Sequence, residues 1–183
     1  MKCLYRTYLP TSGHIRLQTG SGAVLDLAGA TEQQVLAIRK TEMTYCSQFL
    51  QAIPRVPAIE VVSDTLARRV GREDARRIAR ESFSRLGLPE ELWDAYPSTF
   101  SGGEQQRVNI ARAIVSSPRV LLVDEPTASL DLKTKDAVID MLLELKQRGT
   151  SIVLISHDDH TLRRMADRYL RLDAGRVLEA VPA

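Results

Sequence analysis

Hydrophobic and polar residues follow two different patterns along the chain. In the second half, continuous apolar runs predict strands over 119–124 and 151–156, and each follows a segment with helical spacing, over 103–116 and 132–147. Continuous apolar runs are typical of strands that are buried on both faces of a parallel sheet. The pattern therefore predicts an α/β domain whose parallel sheet is flanked by helices, with a short helix over 159–166 near the end.

Shorter elements are predicted in the first half. Alternating runs over 14–18 and 23–27, joined by a glycine-containing turn, predict a hairpin. A short helix over 31–40 and a strand over 43–48 follow. The nine residues before Pro10 carry no helix-start signal, and we interpret them as the end of an element that begins earlier.

A helical segment over 58–96 separates the two halves. Its spacing predicts two helices within 58–86, the second of them closed by Gly87 in a left-handed cap. We interpret 58–96 as an insertion that continues into the next helix, within a single domain that spans 1–183.

Composition and charge exclude several classes of protein. The 183 residues are 44% hydrophobic and carry a formal net charge of +2, which fits a globular domain and gives no sign of nucleic-acid binding. No apolar run reaches the roughly 18 residues of a membrane-spanning helix, and the start lacks the apolar stretch of a signal peptide, so we expect a cytoplasmic protein without membrane insertion. Two cysteines, Cys3 and Cys46, are too few for a disulfide framework.

Arginines are concentrated on one predicted helix face in the insertion. Those at positions 68, 72, 76 and 80 recur every four residues, which stacks them along one side of a helix, and acidic residues lie among them. Two interpretations stay open: the arginines form a solvated surface, or they dock an acidic partner.

Two carboxylates, Asp124 and Glu125, end the predicted strand over 119–124. Open α/β proteins bind ligands at this carboxyl edge of the sheet. One carboxylate there can hold Mg²⁺ while its neighbour orients or deprotonates the water that attacks a γ-phosphate, and we assign Asp124 to the magnesium and Glu125 to the water. For the pair taken alone, an acidic loop that caps a helix is the simpler explanation.

The turn Ser101-Gly102-Gly103 at a helix start is a second candidate site. Two glycines let a backbone approach a ligand, and the free amides of a first helical turn bind anions. Ser101 with Glu104 also makes a capping box, which needs no ligand. Because the helix spans ~20 Å and the following strand returns over a similar length, the turn and the two acids meet at one edge, and both signals then point to a polyphosphate.

Three further side chains lie near the predicted edge. Asp131 is either the N-cap of the next helix or a ligand contact. His157 follows the strand over 151–156 and can donate to a γ-phosphate or orient the attacking water. Gln48 follows a strand-like segment and can offer its side-chain oxygen to magnesium or to the water.

Taken in order, these motifs resemble those of an ABC ATPase. They match the Q-loop, signature, Walker B, D-loop and H-loop, at Gln48, Ser101-Gly102-Gly103-Glu104-Gln105, Asp124-Glu125, Ser129-Leu130-Asp131 and His157. The segments 47–55 and 97–112 are further similar to the PhnL family, ABC-type subunits of the bacterial phosphonate carbon-phosphorus lyase system, and that likeness runs over nearly the whole chain. The resemblance implies a P-loop NTPase-like ABC ATPase fold, ATP and Mg²⁺ as cofactors, and ATP hydrolysis.

One motif of the family does not occur. A P-loop needs G-x-x-x-x-G-K-[ST], and the 183 residues contain no Gly-Lys pair. We therefore expect an N-terminally shortened domain that lacks the Walker A segment.

In the family, two domains pair head to tail, and each ATP lies between the P-loop of one chain and the signature of the other. The resemblance implies two sets of residues. One set serves the nucleotide on the chain's own P-loop: Gln48, Asp124, Glu125 and His157. The other set serves the partner's nucleotide: Ser101, Gly102, Gly103, Gln105 and Asp131.

The resemblance also implies partners. These are a second ABC ATPase subunit that supplies a P-loop, in a homodimer or a heterodimer, and the carbon-phosphorus lyase core complex, with a role in the step that attaches phosphonate to the ribose of ATP as adenine leaves. An ATPase of a lipoprotein or macrolide exporter and a non-hydrolysing scaffold are the alternatives.

Overall fold

The computed structural model describes residues 1–51 and 53–182. In chain order, the elements of this part are β1 (Arg16–Gln18), β2 (Val24–Asp26), α1 (Glu32–Thr41), β3 (Met43–Cys46), α2 (Ala58–Ser63), α3 (Ala67–Val70), α4 (Arg72–Arg85), α5 (Gly102–Val115), β4 (Val120–Asp124), α6 (Leu132–Gln147), β5 (Ser151–Ile155), α7 (Asp159–Met165), β6 (Arg168–Asp173) and β7 (Arg176–Pro182). Short 3-10 turns lie at Glu90–Leu92 and Pro97–Thr99. The predicted alternation of helices and strands is confirmed, with boundaries that differ by at most two residues.

A parallel sheet with the strand order β3-β4-β5 forms the centre of the fold. Strand β4 lies in the middle, and its side chains alternate between two apolar clusters. Leu121 and Val123 pack with residues of α5 and α6 on one face, while Leu122 packs with Ile38 and Met43 on the other. All three β4 residues are at most 1% exposed, which confirms the prediction from the continuous apolar run.

Strand β5 leaves its outer edge unpaired among the described residues, because it pairs with β4 alone. Val153 and Ile155 on this strand are 41% and 44% exposed. A cavity of about 1260 Å³ lies between β5 and the segment formed by α7 and β6. The two small hairpins, β1-β2 and β6-β7, are antiparallel, as predicted for 14–27.

The segment over 58–96 contains three helices, so the prediction of two was wrong. Gly71, with φ 87°, separates α3 from α4, and only a glycine adopts this conformation without strain. Trp93 packs on Phe83 with ring centroids 6.1 Å apart and donates from Nε1 to the Leu88 carbonyl over 3.0 Å. Backbone bonds such as Ala58 N to the Ala95 carbonyl join the two ends of the segment.

The four arginines that were predicted to share one helix face differ in exposure and in ion pairing. Arg76 is half-buried and donates to Glu60, whereas Arg68, Arg72 and Arg80 are exposed. Among the described residues, every helix is too short or too polar to cross a bilayer.

Candidate active site

Asp124 and Glu125 lie where the chain leaves β4 at the carboxyl edge of the sheet. Asp124 is opposite Ile155 of β5, and the Glu125 amide donates to the Ile155 carbonyl over 2.9 Å. Glu125 has a φ of 48°, which is uncommon for a residue other than glycine and typical of functional turns. The two acids therefore face the edge at which open α/β proteins bind ligands.

Glu125 and His157 form a hydrogen-bonded pair. Glu125 Oε1 lies 2.7 Å from His157 Nδ1, and the side chains are 14% and 80% exposed. Glu125 Oε2 is buried and has no hydrogen-bond partner among the described residues. A buried acceptor without a partner is rare and costly, so this oxygen is suited to a water or ligand that completes the site.

The other acid, Asp124, accepts a hydrogen bond from Tyr45, which the sequence analysis missed. The Tyr45 hydroxyl donates to Asp124 Oδ2 over 3.0 Å, and the Tyr5 ring packs on Tyr45 with centroids 5.2 Å apart. Burial and the bond to Asp124 raise the pKa of Tyr45 to about 12. Tyr45 pairs with Leu122 and so lies on the same face of the sheet as Asp124, a strand register that the sequence alone does not reveal.

Gln48 lies two residues beyond β3 and its side chain is exposed at the same edge. The loop that carries it is held from helix α5. Asn109, which is 0% exposed, donates from Nδ2 to the Ser47 carbonyl over 2.6 Å, and Arg112 donates to Asn109 Oδ1 over 3.2 Å. No periodicity singles out Asn109, because a polar residue inside an apolar helix face is recognised only once its partner is known.

The turn Ser101-Gly102-Gly103 lies at the start of α5, where Ser101 is the N-cap and forms the predicted capping box with Glu104. The Ser101 amide donates to Glu104 Oε2 over 2.7 Å, and the Glu104 amide donates to Ser101 Oγ over 3.4 Å. Hydrogen bonds from the side chain and the backbone of Ser101 to the carboxylate hold the pKa of Glu104 below its ordinary value. Ser101 and Gly102 remain exposed.

Gly103 lies against the loop that follows β4. A Cβ atom at this position would come within 3.1 Å of the Ser129 carbonyl oxygen, whereas one at Gly102 would meet nothing within 4 Å. Gln106, one turn further along α5, donates to the Pro126 carbonyl over 3.3 Å. The predicted approach of the helix start to the loop after the acids is thus present.

Gln105 and Asp131 both have partners within the chain. Gln105 Nε2 donates to the Phe100 carbonyl over 3.0 Å. Asp131 caps α6, since its Oδ1 accepts from the Thr134 amide over 3.0 Å, and the bonds from Thr134 keep the pKa of Asp131 low. Asp131 is therefore the N-cap, and its contact with a ligand stays a prediction, as does that of Gln105.

Asp124 and Gln48 carry oxygen atoms of the kind that magnesium takes, and both lie at the carboxyl edge of the sheet. Within 1–51 and 53–182, no group of three or more His, Cys, Asp and Glu side chains gathers to hold a metal. Mg²⁺ does not require one, because it keeps several waters and takes one or two carboxylates plus substrate phosphates. The unpartnered Glu125 Oε2 supplies a polar atom for such a ligand or its water.

Comparison with known families decides the identity of the chain. The ABC transporter family model matches residues 1–128. The chain belongs to the ABC transporter ATP-binding family. ABC ATPases bind ATP with Mg²⁺ and hydrolyse ATP, which agrees with acids at the carboxyl edge and with a glycine-containing helix start against the loop that follows them.

Relatives of this ABC ATPase include subunits named for different transport processes. The L-cystine import ATP-binding protein TcyN of Bacillus subtilis (strain 168) is 33% identical over 98% of this chain and 68% of its own length. The lipoprotein-releasing system ATP-binding protein LolD of Geobacter metallireducens is 39% identical over 92% of this chain and 73% of its own. The methionine import protein MetN of Geobacillus kaustophilus is 43% identical, but the match spans 32% of its length.

A solved structure has the same fold. The ATP-binding cassette MJ0796, described as a dimer in a post-hydrolysis state bound to ADP and Pi, superposes with a TM-score of 0.87 and 26% identity over 99% of this ABC ATPase and 78% of its own chain. A further structure of MJ0796 is also a dimer. The predicted ABC ATPase fold is confirmed.

Proposed function

We propose that this ABC ATPase contributes its signature turn to a nucleotide held by a second ATPase subunit. The observation that carries the proposal is the exposed turn at Ser101 and Gly102, which lies close to the loop after the acids where Gly103 approaches the Ser129 carbonyl. At this exposed turn, the first amides and the positive end of α5 would meet a ligand that another molecule brings. Ser101, Gly102, Gly103, Gln105 and Asp131 belong to this surface.

The second half of the proposal concerns the carboxyl edge. Asp124 would hold magnesium, Glu125 would act on the attacking water, and His157 and Gln48 would contact the phosphate, the water or the metal. These residues need a phosphate-binding loop, and the 183 residues have no Gly-Lys pair. The unpaired edge of β5 and the cavity of about 1260 Å³ beside it leave room for a strand that carries such a loop.

The helical segment 58–96 would be an insertion within one domain.

Calorimetry with Mg-ATP tests this division of the two surfaces. The 183-residue chain alone is expected to show no binding in the micromolar range, since the amides and lysine of a P-loop supply most of the phosphate contacts. Micromolar binding of Mg-ATP by this chain alone would contradict the proposal.

A two-chain assay tests the signature surface directly. The full-length LolD of Geobacter metallireducens, with its own signature serine replaced by arginine, would be mixed with this chain, and ATP hydrolysis measured. We expect hydrolysis to be restored by the wild-type chain and not by the variant Ser101→Arg. Equal activity with both chains, or none with either, would overturn the proposal.

We further propose that the cellular process is phosphonate breakdown, with the chain as a subunit of the carbon-phosphorus lyase system. The likeness of the segments 47–55 and 97–112 to the PhnL family supports this. Affinity purification from phosphonate-grown cells should recover the lyase core subunits. Loss of growth on phosphonate in a Ser101→Arg strain, but not in a Glu125→Gln strain, would favour a non-hydrolysing scaffold.

An exporter ATPase is the second candidate function. The match to LolD, at 39% identity over 92% of this chain, favours it. Co-purification with an integral membrane protein, in the absence of soluble phosphonate enzymes, would decide for the exporter and against the lyase.

A further inference from the structure

Arg107 lies one turn beyond the signature turn and connects three segments. Its Nη1 donates to the Gly87 carbonyl over 2.6 Å, and its Nη2 donates to Asp131 Oδ2 over 3.2 Å. The Arg107 side chain is 20% exposed and that of Asp131 is 56% exposed, so the ion pair is shielded on the arginine side. One guanidinium thus links α5, the cap of α6, and Gly87, which follows the C-terminal cap of α4.

The bond to Asp131 is not needed to cap α6. Thr134 already satisfies the carboxylate, through its amide to Oδ1 over 3.0 Å and its hydroxyl to Oδ2 over 2.7 Å. Thr134 already fixes the Asp131 carboxylate at the start of α6, and Arg107 restrains the same carboxylate from the side of α5. Arginine suits this task, because its planar fork holds two acceptors in fixed directions.

The fit of Arg107 is not optimised for stability. Its Nε is buried and has no hydrogen-bond partner in the part of the chain that the structure describes. An unsatisfied buried donor destabilises a fold, so the arginine at this position is better explained by the geometry that it imposes. That geometry includes the close approach of Gly103 to the Ser129 carbonyl, two residues before Asp131.

We propose that Arg107 is a positioning residue that fixes the spacing between the signature turn and Asp131, so that a single nucleotide on the partner meets both. This inference rests on the proposed function of the signature surface. Because Arg107 also binds the Gly87 carbonyl, which follows α4, the spacing between the signature turn and Asp131 also depends on the position of the helical segment 58–96.

Hydrogen exchange on the chain alone tests the restraint without a partner. The variant Arg107→Met keeps an unbranched side chain and loses both donors. Arg77→Met is the matched control, because Arg77 also donates to two acceptors, Asp74 and Glu81, but on the exposed face of α4. We expect the amides of 129–134 to exchange about tenfold faster in Arg107→Met, as the loss of a charged hydrogen bond allows, and Arg77→Met to match the wild type.

Exchange in β4 separates positioning from general destabilisation. The amides of β4 should be unchanged in Arg107→Met. Equal acceleration of β4 and 129–134, or no acceleration of 129–134, would overturn the inference.

The two-chain assay with LolD gives the functional readout. At saturating chain, Arg107→Met is expected to lower kcat about tenfold, with KM for ATP within about twofold of the wild type. Arg107→Lys is expected to recover part of kcat, because lysine keeps the positive charge but has a single ammonium group in place of the arginine fork. Full activity of Arg107→Met would contradict the inference. If the wild-type chain itself restores nothing, the proposed function fails, and hydrogen exchange still decides the role of Arg107.

Discussion

The carboxyl edge and the signature turn are both suited to phosphate, but they differ in how their polar groups are satisfied. At the edge, Glu125 Oε2 is buried without a partner among the described residues. At the turn, Ser101 and Glu104 satisfy each other in a capping box. The edge therefore leaves one buried acceptor for a water or a ligand, whereas the cap of the turn is satisfied within the chain. A protein that offers a preformed surface to a partner needs the second arrangement.

The largest effect is expected at the turn, where Gly103→Ala should destabilise the chain by about 1–3 kcal/mol relative to Gly102→Ala, because both variants share the gain in helix propensity. The added methyl group meets the Ser129 carbonyl at 3.1 Å, so either the loop or the helix start has to move. Gly102→Ala is the control and should change the free energy of unfolding by less than about 0.5 kcal/mol, because nothing lies within 4 Å of its Cβ. Urea unfolding measures both, and equal losses would show that the turn is not tightly packed.

A Glu→Gln change should have opposite signs in the two regions. Glu125→Gln removes a buried charge with one unpartnered oxygen and should stabilise the chain by about 1 kcal/mol. Glu104→Gln weakens a satisfied, charged cap and should destabilise it by about 0.5 kcal/mol. Denaturant midpoints at pH 7 give the two signs. A destabilised Glu125→Gln variant would mean that the carboxylate has a partner in solution.

The two regions should also respond to opposite ends of the pH scale. The folded pKa of Tyr45 is raised from 10.0 to about 12, so its contribution to stability is complete below pH 10 and is lost as the pH rises through 12. The pKa of Glu104 is lowered, so its contribution is present above 4.5 and is lost as the pH falls through the folded value. Unfolding midpoints against pH should show a flatter alkaline limb for Tyr45→Phe alone. An unchanged alkaline limb would rule out the Tyr45 contribution.

The smallest effect is expected for His157→Ala. Although His157 lies 2.7 Å from Glu125, its side chain is 80% exposed, and exposed pairs contribute little to stability. The free energy of unfolding should change by less than about 0.5 kcal/mol, as measured by urea unfolding. A loss of more than about 1 kcal/mol would mean that the edge depends on this pair for folding.

Sequence patterns predicted the sheet well because its signal is local. The continuous apolar run of β4 and the helical spacing of α6 are complete within a few residues, and α6 begins and ends where predicted, at 132 and 147. The helical segment 58–96 was harder to predict from the sequence. Its third helix depends on the backbone of Gly71, and a single glycine in a helical pattern does not reveal its φ.

Within the site, the motif residues were predictable and their supports were not. Asp124, Glu125 and His157 follow strands, so topology alone places them at one edge. Tyr45, Asn109 and Arg107 act on residues 79, 62 and 24 positions away, and no local pattern carries such pairings.

The contact of Trp93 with Phe83 gives the helical segment 58–96 an optical label of its own. The sequence contains one tryptophan, and it lies in this segment with its Nε1 bonded to the Leu88 carbonyl. Fluorescence emission excited at the indole band therefore reports on this segment, while far-ultraviolet circular dichroism averages over the whole fold. If the unfolding curves from fluorescence and from circular dichroism do not coincide, the helical segment 58–96 unfolds as a separate cooperative unit.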